Sequence, residues 1–160
     1  MTVLALVEPG EELSLQALTL ARDLGGPVHA LSVGDPGTEL GAYGVETVHL
    51  VEDDRLTAYA PAAWAACLEH LIDRISPTAV VAAGTNRGNE VLAHLAARRD
   101  LPFAANCIAT GSDGTVTRVR WGGSLLEEAR INSDPTSVPA RVKASRRCRA
   151  LKFSHLTSDF

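Results

Sequence analysis

The run Thr78-Ala79-Val80-Val81-Ala82-Ala83-Gly84-Thr85-Asn86-Arg87-Gly88-Asn89-Glu90-Val91-Leu92-Ala93-His94-Leu95-Ala96-Ala97-Arg98 decides the fold. Thr78 to Ala83 is a short, unbroken apolar stretch, as expected of a strand covered on both faces. Thr85-Asn86 supplies side-chain oxygens that can cap a helix. Val91, Leu92, Leu95 and Ala96 then recur at helical spacing on one face. Asp100-Leu101-Pro102 closes this strand–joint–helix unit, and a further strand is expected from Phe103 to Ala109.

The same unit repeats upstream. Thr2 to Glu8 reads as a strand, broken by Pro9-Gly10; Leu13, Ala17, Leu20, Ala21 and Leu24 mark a helix over 13–24. Gly25-Gly26 and Pro27 stop it. Strands follow at Val28 to Val33 and Thr47 to Val51, with a short helical turn around Thr38 to Tyr43. Pro61 suits the first turn of a helix that runs to about Ile75, with Trp64 on its apolar face. Asp53 to Ala58 fits no single pattern. Alternating strands and helices with short joints predict an α/β, Rossmann-like three-layer domain, with a mostly parallel sheet and helices on both faces. After residue 110 the rhythm changes. Gly111 to Gly114 is a tight turn, Thr115 to Trp121 alternates like a half-exposed strand, and Gly122-Gly123 bends the chain. Ser124 to Ile131 suits a strand, although Leu125 to Arg130 would also suit a helix. A small antiparallel extension of the sheet accounts for this region.

Composition narrows the function. The 160 residues are 46% hydrophobic and 21% charged, which fits an ordered globular chain. No apolar run approaches the roughly 20 residues of a membrane-spanning helix, so membrane insertion is not expected. Residues 1–140 carry 9 basic and 18 acidic side chains, an acidic body that argues against nucleic acid as a partner. Cys67, Cys107 and Cys148 are distant from one another, as are the five histidines, so neither a disulfide framework nor a metal site is expected. Reduced thiols fit a cytoplasmic protein. No serine has a Gly-x-Ser-x-Gly setting, and Glu127-Glu128 on a strand would face opposite ways. No catalytic residue is assigned, and an enzyme is not expected.

The loop Thr85-Asn86-Arg87-Gly88-Asn89 is the candidate ligand site. A strand-to-helix joint in an open parallel sheet presents free backbone N–H groups and a partial positive charge to an anion, and Arg87 could add a bidentate contact to phosphate. The plainer reading is a helix cap with a glycine for close packing. GxGxxG and Walker A patterns are both absent. Trp121, beside Gly122 and Gly123, is the candidate interface residue, since aromatics concentrate binding energy at contacts.

The order of these elements, with particular residues at the joints, resembles the electron transfer flavoprotein alpha family. The resemblance is carried by Val7-Glu8 with Glu12-Leu13, by Ala21-Arg22-Asp23-Leu24-Gly25-Gly26-Pro27-Val28, by Ala42-Tyr43-Gly44-Val45, by Gly84 to Arg98, by Leu101-Pro102 through Asn106-Cys107, and by Trp121-Gly122-Gly123-Ser124. It covers residues 1 to about 132. Asn89 departs from the family's usual acidic residue by one place. The resemblance implies an electron-carrier subunit whose amino-terminal domain packs with a beta subunit around one FAD. The intact complex would take electrons from flavin dehydrogenases. The family's FAD-binding segment, with its Gly-Ile-Ser-Gly-type loop, has no counterpart in these residues, so no FAD is expected to be bound by this chain alone. The alternative is a free-standing adenine-nucleotide-binding regulatory domain, holding AMP or ATP with Glu8-Pro9-Gly10 and the Thr85 to Asn89 loop. A domain over 1–140 is expected, followed by a basic, poorly ordered tail over 141–160 with 6 basic residues and 1 acidic. A short strand at Thr136 to Val142 is expected where the two meet. The tail is readable first as a divergent basic end, and otherwise as a truncated or frame-shifted reading of a longer gene or an arm for an acidic partner.

Overall fold

A computed structural model describes residues 2–56, 58–111, 113–131 and, for the backbone, 141–145. Parallel strands β1 (Val3–Val7), β2 (Val28–Val33), β3 (Val45–Val51) and β4 (Ala79–Ala83) form one half of a single sheet. Helices α1 (Glu12–Asp23), α2 (Pro61–Ile75) and α3 (Asn86–Arg99) connect or follow them. Strands β5 (Phe103–Thr110), β6 (Thr115–Arg120) and β7 (Leu125–Arg130) form an antiparallel meander. Strand β8 (Arg141–Ser145) is parallel to both neighbours, giving the order β3-β2-β1-β4-β8-β5-β6-β7.

The two-residue period of a strand divides the core into two halves. Val3, Ala5 and Val7 point to one face and pack with Ala17, Leu18, Leu20 and Ala21 of α1. Leu4 and Leu6 point to the other face and pack with Trp64, Leu68 and Leu71 of α2 and with Val91, Leu92 and Leu95 of α3. Every residue of β1 and β4 is buried. This is the three-layer arrangement that the alternating pattern predicts, and Trp64 is in the core. Arg98–Glu69 and Arg99–Asp73 ion pairs tie α3 to α2 along the solvent side.

Two readings left open are settled, and the basic stretch gains a strand. The ambiguous stretch after Asp53 contains a 3-10 turn at Asp54–Leu56, where Asp53 accepts hydrogen bonds from the backbone and guanidinium of Arg55. Leu125–Arg130 is a strand, not a helix, because each of its residues pairs across to β6. Of the strand expected at Thr136 to Val142, only Arg141 and Val142 are among the described residues; they open strand Arg141–Ser145, inserted between β4 and β5. The sheet thus takes in residues that the composition assigns to the basic tail. Residues 132–140 and 146–160 lie outside the described ones.

At the β2–β3 pairing, His29 Nδ1 and His49 Nε2 are 3.1 Å apart, a hydrogen bond that requires one ring to accept. Burial lowers the His29 pKa below its ordinary value, opposed by the Glu46 charge. The unfolded state therefore binds the proton more readily, and stability present above the ordinary value of 6.5 is lost as pH falls through it. Thermal unfolding is expected at a lower midpoint at pH 5.5 than at pH 7.5, and His29→Gln should flatten that dependence. An unchanged slope in the variant would contradict this origin.

Candidate functional site

The sheet order reverses between β1 and β4: the chain builds outward through β2 and β3, then returns to start β4 on the other side of β1. The loops after these two strands flank the switch point, where open α/β sheets collect ligands. Glu8, Pro9, Gly10, Glu11, Thr85, Asn86 and Arg87 line a cleft there of about 280 Å³.

Thr85 is the N-cap of α3, and its Oγ1 accepts from the Gly88 N–H at 2.8 Å. The Thr85 hydroxyl in turn donates to the Glu8 carboxylate. Glu8 is only 5% exposed, although it leaves β1 at the end where the loops gather. Its own N–H donates to Ser14 Oγ at 3.0 Å, and its carbonyl accepts from the Glu11 N–H at 3.1 Å. Burial raises the Glu8 carboxyl above the usual carboxylate range. The Thr85 hydroxyl, the Arg87 charge and the Gly88 N–H pull it down, while Glu11 pushes it up.

Gly88 is the closest contact in the site. A Cβ there would lie 2.2 Å from the Ala83 carbonyl oxygen, 3.1 Å from Thr85 Oγ1 and 3.2 Å from Glu8 Oε1. Asn89 turns inward, donating from Nδ2 to the Thr85 carbonyl at 2.9 Å. Asn86 and Arg87 are exposed. The Arg87 guanidinium lies over the Tyr59 ring, 4.9 Å from its centroid, and the Tyr59 hydroxyl donates to Glu90 at 2.9 Å. Desolvation first, then the hydrogen bond to Glu90, raises the Tyr59 pKa. The sequence reading placed Thr85 to Asn89 in one loop; instead Thr85 is the cap and Asn86 to Asn89 are the first turn of α3, because the Thr85 side chain and carbonyl accept the Gly88 and Asn89 N–H groups. The same reading missed Tyr59, which comes from a segment with no readable pattern.

The second set of candidates stands elsewhere. Trp121, Gly122 and Gly123 form the turn between β6 and β7, and with Asn106, Val119 and Arg120 they line a cleft of about 560 Å³. Two strands, β8 and β5, separate this hairpin from β4, so the two sets of candidate residues line separate clefts. Trp121 is 82% exposed and has φ of 52°, in the left-handed region that glycine favours. Leu125 and Leu126, next on β7, are 50% and 63% exposed. Arg118 pairs with Glu127 across the same hairpin at 3.1 Å.

Among the described residues no group of three His, Cys, Asp or Glu side chains is placed to hold a metal ion. No helix among them is long and apolar enough to cross a membrane.

The fold and its switch-point loops define a Rossmann-like α/β domain with a buried carboxylate at the helix joint and a hairpin that exposes Trp121, Leu125 and Leu126. Residues 3–145 match the electron transfer flavoprotein domain model, and the chain belongs to that family. It is 27% identical over 131 residues to the electron transfer flavoprotein subunit alpha of Syntrophomonas wolfei, a match covering 78% of this chain and 41% of that one. It is 29% identical over 151 residues to the subunit alpha of Mycobacterium leprae, covering 88% and 47%. It is also similar to subunit LctC of the lactate dehydrogenase (NAD(+),ferredoxin) of Acetobacterium woodii, with 28% identity over 141 residues, covering 82% and 34%. The chain therefore spans less than half the length of each relative. It is an alpha-type electron transfer flavoprotein domain.

Proposed function

We propose that this domain is a scaffold: it docks a beta-type subunit through the β6–β7 hairpin and supports a flavin that other residues bind. The observation that carries the reading is the exposed Trp121 beside Leu125 and Leu126 on an edge strand. Large exposed apolar side chains at a hairpin whose outer strand is the sheet edge among the described residues favour a protein contact, because an open strand edge is otherwise an aggregation hazard. By this reading Trp121, Gly122 and Gly123 belong to the interface. The chain contributes no catalytic residue and carries no electron itself; FAD in the assembled alpha/beta complex does, fed by flavin dehydrogenases, in the cytoplasm. The protein's part is positioning, and the redox chemistry is the cofactor's.

The cleft beside Arg87 favours a second reading, in which Thr85, Asn86, Arg87, Gly88 and Asn89 are a nucleotide loop for AMP or ATP. We treat that loop as vestigial.

The test is to purify the chain, add FAD and desalt. The chain is expected to emerge colourless, and to co-elute with an electron transfer flavoprotein beta subunit when that is supplied. A stoichiometric flavin spectrum on the chain alone would overturn the scaffold reading.

A further inference from the structure

We propose that the Glu8 carboxylate is the resident anion of the α3 N-terminus, so the switch-point loop is satisfied from within the chain and shuts out a nucleotide phosphate. A helix N-terminus attracts an anion through its unpaired N–H groups and its partial positive charge. Here one of those donors is already linked to Glu8 through a relay. The Gly88 N–H gives to Thr85 Oγ1, and the Thr85 hydroxyl gives to Glu8. The acceptor comes from a residue 77 positions earlier in the chain, across the switch point.

Three further observations point the same way. Glu8 is nearly inaccessible, so its carboxylate is built into the joint and is not a mobile surface group. Gly88 lets the helix start come within contact of both Ala83 and Glu8, so the carboxylate lies directly against the first turn of α3 and a phosphate in the neighbouring cleft would meet its charge. The Glu8 backbone is fixed as well, through the Ser14 hydroxyl and the Glu11 N–H, which holds the Cα of Glu8 beside the start of α1. Glu11 and Glu12 stand at that same start, and an incoming phosphate would meet their charge too. Arg87, the group best suited to grip a phosphate, is instead stacked on Tyr59. Glu8 is thus a specificity-determining residue. It makes the loop a closed structural joint in a place where the fold otherwise offers a phosphate site. Neither Trp121 nor any partner protein enters into this.

The experiment uses the whole chain as wild type, Glu8→Ala and Glu8→Gln. Wild type titrated calorimetrically with AMP and with inorganic phosphate is expected to show no binding below millimolar concentration. Glu8→Ala should unfold at a lower temperature than wild type. Sodium acetate at 100 mM should raise its midpoint by about 3 °C more than sodium chloride at equal ionic strength, since a ligand that binds only the folded state stabilises it. Wild type and Glu8→Gln, whose side chains still fill the place, should show no such preference for acetate. Micromolar AMP binding to wild type that is lost on Arg87→Ala would overturn the proposal. So would a Glu8→Ala chain that acetate and phosphate stabilise no better than chloride, or that fails to fold in all three salts.

Discussion

Gly88→Ala is expected to lower the unfolding free energy by about 3 kcal/mol, the upper part of the range for forcing an extra methyl group into a packed site. The added Cβ would meet the Ala83 carbonyl oxygen at 2.2 Å, and that oxygen belongs to a fully buried strand. Neither side can yield cheaply. Moving β4 disturbs its pairing with β1, and moving α3 breaks the Thr85 cap and the Glu8 contact. One effect opposes this: alanine is preferred to glycine inside helices by about 1 kcal/mol. That gain is smaller than the clash, so the net change stays destabilising. Gly10→Ala is the control. Its φ is 73° and nothing lies within 4 Å of its added Cβ, so the cost is only the left-handed backbone, about 1–2 kcal/mol. Urea unfolding of both variants measures the difference, and Gly88→Ala no worse than Gly10→Ala would contradict the close approach.

Trp121→Ala is expected to weaken the complex with a beta-type subunit by 30-fold or more, about 2 kcal/mol, the lower bound for an interface hot spot. At 82% exposure the indole buries little area in the chain itself, so the variant's own unfolding midpoint should barely move. The left-handed φ supports the assignment. A bulky residue held in that conformation is costly, and such strain is found where function requires a side chain to be presented. Leu125→Ser should weaken binding in the same direction by a smaller factor. Titration of labelled partner with each variant gives the affinities. A Trp121→Ala chain that binds as tightly as wild type would remove the hairpin from the interface.

Much of this architecture was legible in the sequence because the parallel half is written in short-range patterns. Continuous apolar runs, helical repeats and Gly/Pro joints located β1 to β4 and α1 to α3 closely, and Thr85 was readable as a cap. Long-range pairing was not legible. Arg141–Ser145 is short and begins a basic stretch, and only partners at Ala79 to Ala83 and at Phe103 to Cys107 make it an inner strand. The choice between helix and strand at Leu125–Arg130 was likewise settled by a neighbour, β6. At the site, Glu8 could be placed beside the loop as the end of β1. Its role as acceptor from Thr85 depends on the two strands lying next to each other, which no local spacing encodes. Tyr59 under Arg87 left no signal at all, since the segment around it has neither period.

Amide hydrogen exchange of this chain, alone and mixed with an electron transfer flavoprotein beta subunit, tests the docking claim most directly. Slower exchange confined to the β6–β7 hairpin, residues 118–128, is the expected result. Protection at the Thr85 to Asn89 loop with the hairpin unchanged, or no change anywhere at saturating partner, would contradict it.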